Sequence, residues 1–390
     1  MRQKILSAVL FPCIAVTLAL SGCSSPEKHR LMARTIAPAT QKQIAAEHRI
    51  YLATNREPAR DPGYIFSGDR NPDTTYAFVD VSVPAVHKVG EIERAPNPSV
   101  ADPARYFTAR RLGIFRSEQD YRQHLAKVIR ERGGRALVFV HGYNTAFDDA
   151  VYRITQVAHD SGFPGAVILF TWPSAASVVD YLYDQNSVMV SRDALENLLR
   201  LVADAGATHI DLVAHSMGSL ATMEALRQLA ITNDPNLGGK LAGVILASPD
   251  IDADVFKSQI QRMGKPKMNM VILSSRNDRA LDLSGLIAGR RERLGAVLNA
   301  EEFAKLGVTV VDVTGMQTGD PLNHTKFADN PALVKLLGVA LTSDDLEQLD
   351  DDDTITEELS SISRNIGRTV GNAAGIIITT PFRVFELALD

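Results

Sequence analysis

One pentapeptide, Ala214-His215-Ser216-Met217-Gly218, has the residue types of a serine that acts as a nucleophile. It follows an apolar, strand-like run at residues 210–213 and precedes residues 219–226, whose apolar positions fall on one face of a helix. A serine on such a sharp turn has its hydroxyl pushed out of the sheet, and small residues on either side let strand and helix pass close together. The helix N-terminus directs backbone N–H groups at an oxygen that becomes negative during acyl transfer. We therefore predict a nucleophilic Ser216. The alternative is an ordinary turn with a capping serine, and Ala214 in the place of a glycine weakens the motif.

A nucleophilic serine needs a base, and His324 is the only histidine that follows Ser216 in the chain. It lies in a loop after the last predicted strand, residues 308–313. We therefore expect His324 to take the proton of Ser216. We interpret His141 as a structural hydrogen-bonding residue and His215 as a neighbour of the serine by position alone.

An acidic residue must orient the base, and we consider three aspartates that follow predicted strands in the second half of the chain. Asp278 lies in the loop after the strand at residues 269–273, where the chain order serine, acid, histidine places the acid. Asp250 and Asp252, after the strand at residues 241–247, are the alternative positions. We predict that Asp278 is the acid.

Backbone N–H groups must stabilise the negative oxygen, and two positions can supply them. Tyr143 follows Gly142, which lets the backbone turn after the strand at residues 136–140, and Met217 follows the serine. We expect the N–H groups of Tyr143 and Met217 to form the oxyanion hole. Trp172, at the end of another predicted strand, either lines an acyl pocket or packs in the core.

Strands alternate with helices from residue 136 onward, which predicts an α/β fold with a parallel sheet and helices on both faces. The carboxyl ends of parallel strands meet at one edge, so these four pieces are expected to converge there. The predicted strands are residues 50–54, 75–83, 136–140, 166–170, 210–213, 241–247, 269–273 and 308–313, and the main helices are residues 115–132, 148–161, 187–205, 219–226 and 331–340.

The N-terminus has the pattern of a secretion signal over residues 1–22, with a basic start and a short apolar run. Leu20-Ser21-Gly22-Cys23 resembles a bacterial lipobox, which implies cleavage before Cys23 and lipidation of that cysteine. A plain signal peptide is the alternative. With Ser24 at the next position, the resemblance implies the outer membrane, and the polar residues 23–48 suit a tether that holds the body in the periplasm.

The C-terminal region differs in composition from the body, which we place at residues 49–340. Residues 341–366 contain an acidic run and suit a solvated linker. Residues 367–390 are mostly apolar but contain glycine and proline. We expect them to form a helix docked on the body; the alternative is a tail that touches a membrane or a partner.

The composition of the 390-residue chain argues against several classes of function. The 41 basic and 46 acidic residues give a net charge of −5, so nothing indicates nucleic acid as a partner. The cysteines are Cys13 and Cys23, so the body has neither a disulfide framework nor a cysteine metal site. The sequence has no clustered histidine–cysteine pattern of a metal enzyme, and we expect no cofactor.

Four motifs together resemble a bacterial family known as the α/β hydrolases of unknown function. They are His141-Gly142-Tyr143-Asn144, Phe170-Thr171-Trp172-Pro173-Ser174, the serine pentapeptide and Ser248-Pro249-Asp250-Ile251-Asp252, and residues 83–90 extend the resemblance to residues 50–340. The resemblance implies the α/β-hydrolase fold, with a mostly parallel sheet of eight strands. The segments after the later strands are too short for a large cap domain.

These observations predict a serine hydrolase of the esterase or lipase type, which cleaves a carboxylic ester through an acyl-enzyme. The substrate is expected to be a small ester or a lipid. Amide hydrolysis, thioester hydrolysis and acyl transfer use the same residues and stay open. The alternative is a non-enzymatic envelope lipoprotein that uses the fold as an interaction scaffold.

Overall fold

The computed structural model describes residues 29–297, 299–342, 374–380 and 384–389. The predicted signal peptide, the predicted lipidation site Cys23 and residues 343–366 of the predicted linker lie outside the described residues. Among the helices that are described, none is both long enough and apolar enough to cross a lipid bilayer.

One large sheet of eleven strands passes through the described part of the chain. The strands in chain order are β1 (Thr35–Ile36), β2 (Ile44–Pro58), β3 (Phe66–Pro84), β4 (Val100–Ala101), β5 (Thr108–Ile114), β6 (Arg135–Val140), β7 (Ala166–Thr171), β8 (His209–His215), β9 (Leu241–Ala247), β10 (Asn269–Ser274), β11 (Thr309–Asp312), β12 (Ala374–Thr379) and β13 (Val384–Leu389). β1 and β4 form a separate pair, and the large sheet has the order β13-β12-β11-β10-β9-β8-β6-β7-β2-β3-β5. Every pairing from β11 to β2 in this order is parallel, whereas the strands at both edges are antiparallel.

Helices cover both faces of this sheet. They are α1 (Glu118–Glu131), α2 (Phe147–Asp160), α3 (Tyr181–Asp204), α4 (Gly218–Ile231), α5 (Ala253–Met263), α6 (Arg279–Ile287), α7 (Ala300–Ala304), α8 (Lys326–Asp329) and α9 (Pro331–Thr342). Helices α1, α3, α4 and α5 contribute to the core on one face, and α2, α8 and α9 contribute to the core on the other. The mostly parallel sheet between two helical layers confirms the predicted α/β fold.

The apolar runs of the central strands follow from burial on both faces. In β8, Ile210 and Leu212 belong to one core, and Val213 belongs to the other. Successive side chains of a strand point to opposite faces, so a strand between two helical layers needs apolar residues at consecutive positions. This requirement is why these strands could be predicted from the sequence.

The described sheet has more strands than the eight that the resemblance implies. β5 is one of the additional strands, and its sequence, Thr-Ala-Arg-Arg-Leu-Gly-Ile, has no apolar run because it lies at an edge of the sheet. The other additional strands, β12 and β13, form an antiparallel hairpin at the opposite edge and pair with β11.

The C-terminal hairpin corrects the helix that we expected within residues 367–390. Ile376 and Ile378 are buried beside Val311 and Leu333, so this part of the segment does pack on the body. Its β-branched residues favour a strand, because they fit a pleated surface better than a helix. The expectation of docking therefore holds for residues 376–379, and the expectation of a helix is wrong for residues 374–379 and 384–389.

The structured body begins before residue 49. Leu31 is 2% exposed and packs in a core, and His29 contacts the Asp148 carboxylate at 3.3 Å. β2 begins at Ile44. Residues 29–48, which the sequence analysis assigned to the tether, are therefore part of the body; the few large apolar residues of this stretch do not reveal this in the sequence.

Candidate active site

Ser216 occupies the turn between β8 and α4, as the pentapeptide predicts. Its backbone φ is +52°, a left-handed conformation that residues other than glycine rarely adopt. The Ser216 N–H donates to the Ala247 carbonyl at 2.9 Å, and the Asp250 N–H donates to the Ser216 carbonyl at 3.1 Å. β9 and the loop after it therefore hold a strained serine in the backbone geometry of a nucleophile elbow.

Two glycines make room for this turn. A Cβ at Gly218 would lie 2.3 Å from the His141 carbonyl oxygen, and a Cβ at Gly142 would lie 2.8 Å from the Ser216 Cβ. A backbone carbonyl cannot move aside as the end of a flexible side chain can, and a Cβ is fixed to its own backbone, so both positions require glycine. Ala214, the atypical small residue of the motif, is fully buried in β8.

His324 and Asp278 lie in contact at the same edge of the sheet. His324 Nδ1 is 2.7 Å from Asp278 Oδ2. Asp278 follows β10, His324 follows β11, and these two strands are parallel neighbours. The Asp278 side chain is fully buried, and its other oxygen, Oδ1, accepts the Ala280 and Leu281 N–H groups at the start of α6. Asp278 therefore contacts the imidazole with one oxygen and caps a helix with the other.

The alternative acids contact other groups. Asp250 accepts hydrogen bonds from Tyr181 Oη at 2.9 Å and Ser284 Oγ at 2.7 Å, and it pairs with Arg293 at 3.2 Å. Asp252 caps α5. Within the described residues, the hydrogen-bonded carboxylate of the His324 ring is Asp278 alone.

His215, the residue before the serine, contacts the candidate base. Its ring centroid is 4.7 Å from that of His324, and its Nε2 is 3.2 Å from the His324 carbonyl oxygen. Burial lowers the pKa of His215 well below its ordinary value, and the nearby His324 ring lowers it further, so the His215 ring is neutral. The interpretation of His215 as a neighbour by position alone is therefore wrong, because it contacts the loop of the base.

Within the part of the chain that the structure describes, Ser216 Oγ and the His324 ring are not hydrogen-bonded to each other. Ser216 is 3% exposed and the His324 side chain 14%, so both are nearly enclosed. Catalytic hydrogen bonds are often long without substrate and tighten when substrate binds. The arrangement therefore brings the acid and base into contact and leaves the serine on the adjoining turn.

A carboxylate and a lysine hold the loop of His324 in place. Asp320 Oδ2 accepts the His324 N–H at 2.7 Å and the Thr325 N–H at 3.2 Å. Burial alone would raise the pKa of Asp320, but these backbone donors lower it below its ordinary value. Lys326 Nζ donates to Ser275 Oγ at 2.9 Å and Asn277 Oδ1 at 2.7 Å, and burial lowers its pKa. Lys326 thus joins the loop of the base to the loop of the acid.

The loop that contains Tyr143 is fixed by a buried carboxylate. Asp184 of α3 accepts the Asn144 N–H at 3.0 Å and the Ser174 hydroxyl at 2.6 Å, and burial raises its pKa. Asn144 has a φ of +52°. In the described part of the chain, no acceptor is hydrogen-bonded to the N–H of Tyr143 or Met217. The oxyanion hole formed by Tyr143 and Met217 therefore stays a prediction.

Arg56 holds the same loop through hydrogen bonds to backbone carbonyls. Its guanidinium donates to the Thr145 carbonyl at 2.8 Å and the Ser174 carbonyl at 3.1 Å, and burial lowers its pKa to about 10. His141 lies beside it, and burial together with the charge of Arg56 lowers the pKa of His141 to about 3. Trp172 is fully buried, stacks on His141 and donates to its carbonyl at 2.8 Å. Trp172 therefore packs in the core and does not line an accessible pocket.

Sequence reasoning missed Asp184, Lys326 and Arg56. Each binds segments that are distant in the chain, and nothing in its neighbouring sequence distinguishes it from a solvated charge. The only available signal is position, since Lys326 follows the predicted base by two residues.

Comparison with known protein families decides the classification. Residues 117–340 match the model of the family described as alpha/beta hydrolase of unknown function. The chain belongs to this family. The matched region begins just before α1 and ends in α9, so it contains the serine turn, the acid and the base.

Two solved structures are similar to the chain at low identity. An esterase from Pyrobaculum calidifontis is 12% identical, with a TM-score of 0.33, over 76% of this chain and 85% of its own. Carboxyl esterase 2 from the mycorrhizal fungus Tuber melanosporum is 13% identical, with a TM-score of 0.32, over 83% of this chain and 95% of its own. No curated protein matches the sequence.

Proposed function

We propose that this α/β-hydrolase family member is a serine esterase, with Ser216 as nucleophile, His324 as base and Asp278 as the residue that orients the base. One observation carries the proposal: a serine at φ +52° stands on a strand-to-helix turn, and a His324–Asp278 contact of 2.7 Å follows two later strands of the same sheet. Nucleophile, orienting acid and base follow separate strands, β8, β10 and β11, in the chain order that this fold uses for acyl-transfer chemistry.

The proposed reaction has two halves. Ser216 Oγ attacks the ester carbonyl carbon while His324 Nε2 takes the hydroxyl proton, and Asp278 accepts a hydrogen bond from Nδ1 of the imidazolium that forms. The N–H groups of Tyr143 and Met217 bind the oxyanion. The intermediate then collapses, and the alcohol leaves with the proton from His324. In the second half, water attacks the acyl-enzyme with the same proton transfers, releases the acid and restores Ser216.

Exposed apolar side chains on segments that also contain or adjoin site residues favour an ester with an apolar part. Val178 and Val179, just before α3, are 73% and 81% exposed, and Leu283 and Leu286 of α6 are also exposed. Leu322, two residues before the base, is exposed as well. Exposed apolar side chains on the segments that hold a site can contact the apolar part of a ligand. These residues support a lipid or a small apolar ester as substrate.

The lipobox-like sequence supports attachment of the enzyme to the outer membrane through a lipidated Cys23, with the body in the periplasm. A Cys23→Ser variant should move from the membrane fraction to the soluble fraction. If it stays membrane-bound, the proposed anchor is wrong.

The esterase proposal is tested with the full-length protein purified in detergent, on nitrophenyl esters of increasing acyl length. Ser216→Ala and His324→Ala should each lower kcat/KM at least about 10³-fold without changing the melting temperature, because both remove a group that acts in the transition state. Ser258→Ala, an exposed serine on α5, is the matched control and should retain full activity. If the folded protein has no activity on any ester and reacts with no fluorophosphonate, the scaffold function replaces this one.

A further inference from the structure

A second cluster of chemically active side chains lies away from the serine turn. His87 follows β3, whereas His159 and Asp160 close α2, and one ligand atom from each lies within 4.8 Å of the others. His87 Nε2 is 2.7 Å from Asp160 Oδ1, and the side chains of His87 and Asp160 are 5% and 1% exposed. His87 belongs to the stretch at residues 83–90, which resembles the family and which the esterase mechanism does not use.

Each member of the cluster also has its other polar atom held in place. His87 Nδ1 is 2.8 Å from Glu93 Oε2. Asp160 Oδ2 accepts the Gly90 N–H at 2.8 Å and the Gln156 amide at 2.7 Å. His159 Nδ1 is 3.1 Å from His48 Nε2. An imidazole whose second nitrogen donates to a carboxylate, and a carboxylate whose second oxygen accepts hydrogen bonds, are the arrangements that orient metal ligands in proteins.

We propose that His87, His159 and Asp160 bind one divalent cation of the zinc class. Two imidazole nitrogens and one carboxylate oxygen are a donor set that zinc takes readily, with water in the remaining position. Binding displaces the proton shared by His87 Nε2 and Asp160 Oδ1, since both atoms become ligands, and that proton passes to solvent.

Charge distinguishes this cluster from a similar one at His29, Asp148 and Asp149. There, Arg94 pairs with both carboxylates, so a cation already occupies the position that a metal would need. In the cluster of His87, by contrast, Asp160 and Glu93 form ion pairs with His87, and neither forms one with an arginine or lysine among the described residues. An imidazole can exchange its proton for a metal, whereas a guanidinium cannot.

The position of the cluster indicates a structural role. It joins the turn after β3 to the last residues of α2, near the beginning of β2, whereas the proposed catalytic residues follow the opposite, carboxyl ends of the parallel strands. A metal that cross-links these segments raises thermal stability and leaves ester hydrolysis unchanged.

The experiment measures metal binding directly. The full-length protein is stripped with a chelator, dialysed against Zn²⁺, and its bound metal is counted by mass spectrometry; Co²⁺ provides a visible spectrum of the ligand field. We expect one equivalent of Zn²⁺ and a higher melting temperature in the wild type. His159→Gln and Asp160→Asn should lose that equivalent, whereas His29→Gln and the exposed His124→Gln should retain it.

A measurement on the wild type avoids the risk that a variant misfolds. Zn²⁺ should protect His87 and His159, but not His124, from modification by diethyl pyrocarbonate. The proposal is overturned if the stripped protein binds no Zn²⁺, if binding survives in folded His159→Gln, or if Zn²⁺ gives no protection. Loss of binding in His29→Gln alone would assign the metal to the other cluster.

Discussion

At the scale of single residues, the candidate site depends on backbone conformations that few residue types tolerate. Ser216 and Asn144 both have a φ of +52°. Such strain costs about 1–3 kcal/mol per residue and persists only where surrounding contacts fix it. For Ser216 these contacts are the hydrogen bonds to Ala247 and Asp250 and the close approach of two glycines. The glycine requirement gives a first prediction.

Gly218→Ala should destabilise the fold by about 1–3 kcal/mol and abolish ester hydrolysis, because the new Cβ would lie 2.3 Å from the His141 carbonyl oxygen and would displace the serine turn. The free energy of unfolding and kcat/KM measure the two effects. Gly319→Ala is the control, because a Cβ there meets no atom within 4 Å and should change neither quantity. Unaltered stability in Gly218→Ala would show that strand and helix do not pass as closely as described.

Asp278→Asn separates the two contacts of this side chain. Asparagine still caps α6, so the free energy of unfolding should change by less than about 1 kcal/mol. It cannot hold an imidazolium as a carboxylate does, so kcat should fall about 10³- to 10⁴-fold. Asp278→Ala should lose the cap as well, which costs about another 1 kcal/mol. If Asp278→Asn retains its kcat, Asp278 is a helix cap only and the acid lies elsewhere.

At the scale of elements, one buried carboxylate links the three strands β2, β3 and β5 at the antiparallel edge of the sheet. Asp80 of β3 lies opposite Arg49 of β2 and Arg111 of β5. It receives two hydrogen bonds from Arg49, at 2.7 and 2.9 Å, and one from Arg111 at 2.7 Å. Burial alone would raise the pKa of Asp80, but the two arginines lower it below its ordinary value. The ionised Asp80 side chain therefore links three strands through ion pairs, in addition to their backbone pairing.

Asp80→Asn should lower the free energy of unfolding by about 1–2 kcal/mol at pH 7, because both arginines are partly solvent-exposed and the pairs are partly screened. A lowered pKa stabilises the fold above the ordinary aspartate pKa of about 3.9, and this stabilisation is lost as the pH falls through the folded-state value. The difference between wild type and variant should therefore shrink below about pH 4. Denaturant unfolding at several pH values measures this difference in the free energy of unfolding.

Asp73→Asn, at an exposed position of the same strand, is the control and should show no such difference. A deficit that is independent of pH would exclude the ionic origin.

At the scale of the whole molecule, the C-terminal hairpin extends the sheet beside β11, the strand that precedes the loop of His324. Ile376 and Ile378 contribute to a small core with Val311, Val313 and Leu333. The far end of the chain therefore supports the strand from which the proposed base is positioned.

Ile378→Ala should cost about 2 kcal/mol of stability, at the low end of the range for buried isoleucine because the hairpin is an edge element. Ile377→Ala, at a half-buried position of the same strand, should cost about 1 kcal/mol or less. Thermal and denaturant unfolding of the full chain measure both. Equal effects from the two substitutions would show that the hairpin does not pack on β11 as described.

The sequence predicts those parts of the fold and of the candidate site whose residue types follow a local pattern. The strands between two helical layers need consecutive apolar residues, so β6 to β10 could be predicted to within one or two residues at each end. The serine turn has a local signature, and His324 followed from the absence of another later histidine. Asp184, Lys326 and Arg56 could not be predicted, because their partners are brought together only by the fold. The hairpin of β12 and β13 was missed because an apolar segment with glycine and proline fits a helix or a strand until its neighbour, β11, is known.

The most direct test of the account is to locate a trapped covalent intermediate. The full-length protein is treated with a fluorophosphonate, digested, and searched by mass spectrometry for the modified residue. We predict a single adduct on Ser216, with a much lower yield in His324→Ala and none in Ser216→Ala. An adduct on another residue, or an unmodified Ser216 in folded protein that hydrolyses esters, would contradict the assignment of Ser216 as the nucleophile.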